Sequence, residues 1–303
     1  MNLERTSIGG AQAKLPQLVI RPEFENTNLG KAHIGDVARR LSIVERVWNN
    51  NGFRKSVILL GFVAVWEIYF RIAGLDPLLF PPFSAVAVET YNGFVSGVLP
   101  ERIWYSLKVL LMGYVLGMVL AAVFVFLATM SRIGSDVLST ATAMFNPLPA
   151  IALVPLAMLW FPLGVSGLLF VLVHSVLWAV ALSTHTGFKN VSSTLKMIGQ
   201  NYGLRSVTFV RKILVPAAFP AILSGMKIGW AFAWRTLIGA ELVFGATSGG
   251  GGLGWHIFAA SQNIETAQVF SGLFMVILIG IIIENVIFRN VELRTVNRWG
   301  MQR

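Results

Sequence analysis

Long apolar stretches alternate with short polar ones over most of the chain. A helix that crosses a bilayer needs about 20 mostly apolar residues. Six stretches meet this requirement, at residues 56–74, 103–129, 139–161, 166–184, 221–245 and 266–288. The pattern therefore predicts an all-α, polytopic membrane protein with six transmembrane helices.

Polar segments divide the chain into three parts. We expect a flexible N-terminal tail over residues 1–55, a transmembrane domain over residues 56–290 and a short C-terminal tail over residues 291–303. Within the domain, Pro147, Pro149 and Pro155 interrupt the third apolar stretch. We expect this stretch to be kinked or partly unwound, with neighbouring helices covering the freed backbone groups.

The longest polar interruption of the second half covers residues 185–220, called here the basic segment. It holds Lys189, Lys196, Arg205, Arg211 and Lys212 and no acidic residue. Apolar residues recur at close to helical spacing, with cap candidates before them, a glycine in the middle and prolines at the end. These positions are Leu195, Ile198, Tyr202, Val207 and Val210 for the apolar set, Asn190 and Ser192 for the caps, Gly203, Pro216 and Pro220. The pattern predicts two short helices joined by a glycine turn.

Composition agrees with a membrane protein, since 55% of residues are hydrophobic and only 13% are charged. The net charge of +10 would suggest nucleic acid in a soluble protein. Here the basic residues cluster in the N-terminal tail, the basic segment and the C-terminal end, whereas only Arg71, Arg102 and Lys108 would face outwards. The positive-inside rule therefore predicts cytoplasmic termini, and we expect membrane lipid rather than nucleic acid as a partner.

Residues that carry redox or metal chemistry are scarce. The chain has no cysteine, and its four histidines are isolated from one another. Disulfides and thiol catalysis are excluded, and we expect no catalytic residue, no metal site and no bound cofactor. The glycine run of residues 249–252, continuing to Gly254, lacks a following Lys-Ser or Lys-Thr. We expect it to be a flexible outer loop and not a phosphate loop.

Residue order in the basic segment resembles the cytoplasmic loop of permease subunits of bacterial ATP-binding-cassette (ABC) importers. The matching residues are Gly203, Arg205, Ile213, Leu214, Pro216 and Pro220. Further blocks are similar to permeases for sulfonates, taurine, nitrate and bicarbonate: residues 146–149, 155–161, 202–204, 216–220, 224–228, 233–234, 240–242 and 251–254. The resemblance covers roughly residues 57–300. It departs from the family at Met197, Ile198 and Gly199, which stand where the family has Glu-Ala-Ala.

The resemblance implies a subunit without enzymatic activity in a bacterial inner membrane. It implies a homodimer and two kinds of partner. ATP would be bound by a separate cytoplasmic ATP-binding subunit, and substrate would be delivered by a periplasmic solute-binding protein. The residues expected to couple to the ATPase are Lys196, Met197, Gly199, Tyr202, Gly203, Leu204, Arg205 and Pro216. The resemblance also implies a short periplasmic helix within residues 75–102 and a small anion as substrate.

Charged residues inside the apolar stretches are candidate functional groups, because an intramembrane charge is costly. Arg235 and Glu67 lie at similar depth, which suggests an ion pair, and Glu241 lies near the outer end of its span, where it could be hydrated. Two interpretations of Arg235 stay open: neutralisation by Glu67 or Glu241, or a cation that lines the path of an anionic substrate. Trp234 is the aromatic residue expected beside that path, and Lys227 could pair with Glu284.

Glycine pairs on the second and fifth spans have the Gly-x-x-x-Gly spacing that lets helices pack closely. They are Gly113/Gly117 and Gly225/Gly229. Two other functions use different features. An intramembrane serine protease is suggested by the Gly-x-Ser-Gly sequence at Ser166, but the later spans contain no histidine to act as base. An ion-coupled secondary transporter would leave the basic segment without a role, and no inverted hydropathy repeat is visible.

Overall fold

A computed structural model describes residues 51–162, 164–245 and 251–296. The predictions for the tails at residues 1–50 and 297–303 lie outside these residues. The described residues are helical, with no strand among them, which confirms the all-α class. The chain divides into a unit of residues 1–60 and a unit of residues 61–303, and all packing discussed below belongs to the second.

Thirteen α-helices follow one another in the described ranges. They are α1 (Asn51–Ala73), α2 (Phe83–Val95), α3 (Val98–Met130), α4 (Arg132–Phe145), α5 (Val154–Trp160), α6 (Val165–Lys189), α7 (Ser193–Asn201), α8 (Ser206–Phe209), α9 (Val215–Ala217), α10 (Phe219–Phe244), α11 (Leu253–Gln262), α12 (Thr266–Ile282) and α13 (Arg289–Arg294). A 3₁₀ turn (Ala150–Leu153) precedes α5, and π-helical turns follow α8 (Val210–Leu214) and α12 (Ile283–Phe288). The short helix expected within residues 75–102 is therefore α2.

Four helical stretches of the described chain are long and apolar enough to cross a membrane: Gly52–Ala73, Val98–Met130, Val165–Lys189 and Thr266–Arg294. Two further stretches qualify only as bent pairs. Residues 132–145 and 150–160 meet at 87°, and residues 206–217 and 219–244 meet at 77°. The described chain thus has four spans, or six if each bent pair counts as one, and the polytopic prediction is confirmed without fixing the number at six.

The break in the third predicted span occurs where its prolines predict it. Helix α4 ends at Asn146, and Pro149 is extended before the 3₁₀ turn. Pro155 does not break a helix, because it lies in the first turn of α5, where a missing N–H leaves no hydrogen bond unmade. Two prolines thus unwind the chain over residues 146–149.

Helix α6 is the centre of the bundle and packs most extensively against α10 and α3. The contacts depend on glycine. A Cβ atom added at Gly113 would lie 2.6 Å from the Cβ of Leu172 on α6, and one at Gly225 of α10 would lie 2.6 Å from another Cβ of α6. Gly117 and Gly229 also face α6 at close range. The packing role predicted for both glycine pairs is confirmed.

The basic segment and helix α11 lie at opposite ends of α10. The basic segment leads into the first residue of α10, and the chain reaches α11 after its last residue. Helix α10 has 26 residues, a length of about 39 Å at the rise of an α-helix. The two regions are therefore separated by the length of this one helix.

Candidate functional site

The basic segment folds as two short helical pieces joined by a glycine turn, as its sequence predicts. Ser192 caps α7, since its Oγ accepts a hydrogen bond from the Leu195 N–H at 3.3 Å. The helix ends at Asn201. Gly203 follows its C-cap, and the φ of +70° at this residue is a left-handed conformation that favours glycine. Asn190 instead ends α6, which continues to Lys189 and so includes the first residues of the segment.

Gly199 brings the two pieces of the basic segment together. A Cβ atom at this position would lie 2.9 Å from the ring of Phe209 and 3.0 Å from Ile213. Gly199 is itself buried, while its neighbours on α7 are largely exposed. A small residue at this point therefore lets α7 pack against the π-helical turn behind it.

Large apolar side chains cover the outer surface of the basic segment. Tyr202 is 81% exposed, Met197 is 54% exposed, and Val207 is also exposed. Of the five apolar residues that recur at helical spacing in the basic segment, only Val210 is buried. The periodic pattern therefore marks an exposed surface and not a packed helix face. Clustered exposed apolar side chains are typical of a protein-binding surface.

The other residues expected to couple to an ATPase lie around this surface. Lys196 Nζ donates a hydrogen bond to the Lys189 carbonyl at 3.0 Å. Arg205 is exposed and extended just before α8, and Leu204 is half-buried. The sequence pattern suggested that Pro216 and Pro220 terminate helices. In the structure they lie instead in the first turns of α9 and α10. The segment therefore bends into α10 without a long loop.

A cavity of about 330 Å³, called here the Arg235 cavity, lies beside α10 within the bundle. Its lining comes from the unwound part of the third span and from α6 and α10. The lining residues are Phe145, Asn146, Pro147, Leu148, Pro149, Ala150, Ile151, Ser175, Trp178, Phe232, Arg235 and Thr236. Unwound backbone at membrane depth is tolerated where it lines a cavity, and it provides polar groups there.

Arg235 is the charged residue of this cavity. Its Nε donates to the Ala231 carbonyl at 3.0 Å, and its Cζ lies 5.3 Å from the centre of the Phe232 ring. It forms no ion pair with any described residue. The predicted pair with Glu67 is wrong, because the Glu67 carboxylate binds Arg71, one helical turn away, at 2.7 Å. Ser84 also donates to Glu67, which holds that carboxylate at the start of α2.

Aromatic residues are placed differently from the prediction. Trp234 is buried away from the lining residues of the Arg235 cavity, and its Nε1 donates to the Val276 carbonyl of α12 at 3.3 Å. Trp178 lines the cavity instead and stacks on Phe145 at 4.9 Å. Trp234 thus packs towards α12, whereas the next residue, Arg235, lines the cavity. The assignment of Trp234 to a translocation path stays a prediction.

Two hydroxyl groups of the cavity were not predicted from the sequence. Ser175 of α6 donates to Thr236 Oγ1 of α10 at 3.1 Å. Hydroxyls at matching depth on two apolar helices are a sequence signal that could have suggested this contact. Both hydroxyl groups line the same cavity as Arg235.

Glu241 is fully buried, at 0% exposure, so the expectation that it is hydrated is wrong. Ser106 Oγ of α3 donates to its carboxyl group at 2.8 Å, and the Gly254 N–H donates to the same group at 2.8 Å. Ser106 Oγ also accepts from the Leu253 N–H at 2.9 Å. The carboxyl group and the hydroxyl thus satisfy the first N–H groups of α11 and bind that helix to α3 and α10.

This arrangement corrects the prediction of a flexible glycine loop. Residues 246–250 lie outside the described ranges, but Gly251 and Gly252 are buried and Gly254 belongs to α11. Nearby on α11, burial, reinforced by the charge of Arg102 and opposed by that of Glu265, lowers the pKa of His256. The role of Glu241 in a path stays a prediction, whereas its contacts give it a structural role.

Lys227 binds carboxylates near the other end of α10. Its Nζ lies 2.5 Å from Glu292 and 4.0 Å from Glu284. The predicted partner Glu284 is thus within ion-pair range, and Glu292 is the closer one. This intramembrane lysine is neutralised, in contrast to Arg235.

Comparison with known proteins identifies the family of this chain. A family model described as "Binding-protein-dependent transport system inner membrane component" matches residues 109–295. The chain belongs to this family. The matched residues include the Arg235 cavity, the basic segment and Glu241. These features therefore belong to a transport component of the membrane, and the prediction of an ABC importer permease is confirmed.

Several curated permeases are similar to this family member. The putative aliphatic sulfonates transport permease protein SsuC of Escherichia coli (strain K12) is 27% identical over 221 residues, which cover 73% of this chain and 82% of the relative. The taurine transport system permease protein TauC of the same organism is 27% identical over 228 residues, 73% of this chain and 81% of the relative. The nitrate import permease protein NrtB of Synechococcus elongatus is 23% identical over 238 residues, 75% of this chain and 84% of the relative.

The relatives favour neither alternative function. All three are named as permeases of transport or import systems, and none as a protease or an ion-coupled carrier. Within the described residues, no hydrogen bond joins Ser166 to a histidine. The Gly-x-Ser-Gly sequence lies at the start of α6, where Gly167 packs against Phe244.

Proposed function

We propose that this chain is the translocating subunit of an ABC importer that carries a small anion such as a sulfonate, taurine, nitrate or an organic carboxylate. The observation that carries the proposal is Arg235, a cation without an ion-pair partner among the described residues, in a cavity at membrane depth. An unneutralised intramembrane charge is costly, and function is the usual reason to retain one. The named substrates of the relatives carry sulfonate or nitrate groups, which a guanidinium binds well.

The cavity geometry supports a weak, reversible site. Its volume of about 330 Å³ is at the small end of ligand pockets. Arg235 offers a fork of N–H donors, and Ser175 and Thr236 add hydroxyl groups to the lining of the same cavity. A path needs a site that an anion can leave as well as enter, and an exposed arginine with few other charges meets that need.

Uptake by reconstituted transporter tests this assignment. The full complex in proteoliposomes is supplied with taurine, an alkanesulfonate or nitrate, and uptake driven by ATP is measured. Arg235→Gln is expected to reduce uptake at least about tenfold, the loss typical of one charge-assisted hydrogen bond, and Arg235→Lys to restore part of it. Arg289→Gln, an exposed arginine outside the cavity, serves as the matched control. Equal uptake by the Arg235→Gln and Arg289→Gln variants would refute the role of Arg235.

The same proposal gives the basic segment a partner, a cytoplasmic ATP-binding subunit that holds and hydrolyses ATP; this chain itself has no enzymatic activity. Support comes from the exposed apolar surface around Met197 and Tyr202. Met197, at the position of the family's acidic residue, offers apolar contact area in place of a charge. The subunit acts as a homodimer in the inner membrane, receives its anion from a periplasmic solute-binding protein, and has cytoplasmic termini, as the distribution of basic residues indicates.

Orientation and docking can be tested with single thiols, because the native chain contains no cysteine. Tyr202→Cys is expected to react with a membrane-impermeant maleimide only after the cells are permeabilised, and to cross-link to the ATP-binding subunit. Tyr91→Cys on α2, 69% exposed, is the matched control and is expected to react in intact cells that lack the outer membrane. Labelling of both thiols from the same side would contradict the proposed topology.

A further inference from the structure

A second cavity, of about 410 Å³, lies where α7 meets the ends of the spans, and is called here the basic cavity. Its cationic lining comes from three separate elements. Arg132 lies at the start of α4, Lys189 at the end of α6 and Lys196 on α7. Neither the Arg235 cavity nor the exposed apolar surface includes Arg132 or Lys189, so the proposed function leaves them unused.

The positive charge of the basic cavity is not balanced by nearby acids. Among the described residues, no Asp or Glu lines the cavity, and Arg132, Lys189 and Lys196 form no ion pair. Asp136 lies one turn after Arg132 but does not bind it. Lys196 is held in place, because its Nζ donates to the Lys189 carbonyl at 3.0 Å. Three unpaired cations around one volume repel each other, and an anion between them would relieve that repulsion.

Hydroxyl groups and a helix terminus add to this environment. Ser131 Oγ accepts from the Gly134 N–H at 2.9 Å and so caps α4. Ser135 Oγ shares a hydrogen bond of 3.1 Å with Nε2 of His185 at the cavity wall. The N-terminus of a 14-residue helix carries a partial positive charge, which acts in the same sense as the cations.

We propose that the basic cavity binds a phosphate group and thereby bridges the basic segment to the transmembrane bundle. A phosphate group presents several acceptor oxygens and more than one negative charge, which suits cations from three directions. Its oxygens would bind Lys196 on α7 and Arg132 and Lys189 at the ends of the bundle helices α4 and α6. Occupancy would therefore restrain α7 relative to α4 and α6, which makes the site a regulator of coupling.

Two sources can supply this chemistry: inorganic or organic phosphate in solution, and the headgroup of an anionic phospholipid. Basic pockets at the membrane boundary bind such headgroups. The location of the cavity on the cytoplasmic side rests on the proposed function, but the binding itself does not. A direct binding measurement therefore separates failure of this inference from failure of the transport assignment.

The experiment has one arm for each source and uses the purified full chain. In the first, the unfolding midpoint and the dissociation constant are measured in detergent with inorganic phosphate, against chloride at equal ionic strength. In the second, the chain is placed in nanodiscs of phosphatidylcholine with or without phosphatidylglycerol, and retained lipid is counted by native mass spectrometry. Saturable binding in either arm is expected, and the arm in which it occurs identifies the source.

Matched variants locate the site. Lys196→Gln and Arg132→Gln are each expected to weaken binding about fivefold, the effect of one partly exposed charge pair. Lys212→Gln and Arg211→Gln, exposed positions of the same segment that do not line the cavity, are expected to leave binding unchanged.

Two results would overturn the proposal. The first is that neither inorganic phosphate nor phosphatidylglycerol binds the native chain saturably, a result that needs no variant to be stable. The second is that Lys212→Gln and Arg211→Gln weaken binding as much as the cavity variants. That result would mean that the whole basic surface attracts anions and that no built site exists.

Discussion

Removal of the Ser106 hydroxyl gives the sharpest test of how α11 is held. In the Ser106→Ala variant, the Leu253 N–H loses its acceptor and the Glu241 carboxyl group loses a donor, and both are buried. The Leu253 N–H is left without a partner, which costs about 1–3 kcal/mol, whereas the Glu241 carboxyl group keeps the Gly254 N–H and loses one hydrogen bond, worth about 0.5–1.5 kcal/mol. Together the two losses lower the free energy of unfolding by about 1.5–4.5 kcal/mol. Ser261→Ala on the exposed side of α11 removes only a bond to Phe258 and is expected to cost less than about 1 kcal/mol.

Equilibrium unfolding of the full chain in mixed micelles, followed by tryptophan fluorescence, measures both variants. A double-mutant cycle isolates the contact between Ser106 and Glu241. Glu241→Leu alone leaves the Ser106 hydroxyl and the Gly254 N–H without an acceptor. In the double variant the hydroxyl is gone, so the combined loss should be smaller than the sum of the single losses by at least about 1 kcal/mol. The reasoning fails if Ser106→Ala matches Ser261→Ala, or if the two losses add within about 0.5 kcal/mol.

Three further predictions concern packing, coupling and pH. Gly113→Val is expected to destabilise the bundle by about 1–3 kcal/mol in the same unfolding assay, whereas Gly61→Val, with no atom within 4 Å of the added Cβ, should not. Gly199→Val is expected to reduce co-purification of the ATP-binding subunit without lowering the amount of chain in the membrane, and Gln200→Val, an exposed neighbour, should retain it. Since burial lowers the pKa of His256, the unfolded chain takes up this proton first, and stability should fall below about pH 6.5. His256→Gln should reduce that fall between pH 7.5 and pH 5.5, and an unchanged pH profile would contradict it.

The spans and the break between them could be predicted from sequence because each depends on local physics. A run of apolar residues has one stable arrangement in a bilayer, a helix that satisfies its own backbone. Pro147 and Pro149 cannot continue that helix, and Gly203 accommodates the left-handed turn that ends α7. These features need no knowledge of neighbouring helices.

The partners of the charged side chains could not be predicted in the same way. Depth along two spans fixes one coordinate, but the rotation of each helix decides which residues meet. The sequence predicts a similar depth for Glu67 and Arg235, yet Glu67 binds Arg71 on its own helix. The spacing of four residues was visible in the sequence and is the better predictor, because such pairs are neighbours whatever the helix packs against.

Burial of Glu241 depends on a chain reversal that the hydropathy pattern does not show. The glycines that follow α10 suggested a loop, but their small size allows backbone to approach the carboxyl group closely. A Cβ atom at Gly252 would collide with both the Ser106 hydroxyl and the Glu241 carboxyl group. Glycine next to a charged residue near the end of a span can thus indicate tight packing as well as flexibility.

Helix α10 connects the regions for which functions are proposed above. It begins next to the basic segment, carries Arg235 about 24 Å along its axis, and in its last turn carries Glu241, which binds α11. Gly225 and Gly229 let its first half pack closely against α6. We infer that a displacement of the basic segment reaches the Arg235 cavity and α11 through this one helix. A substitution that loosens the contact with α6, such as Gly225→Val, should then reduce transport per ATP hydrolysed more strongly than it reduces hydrolysis itself.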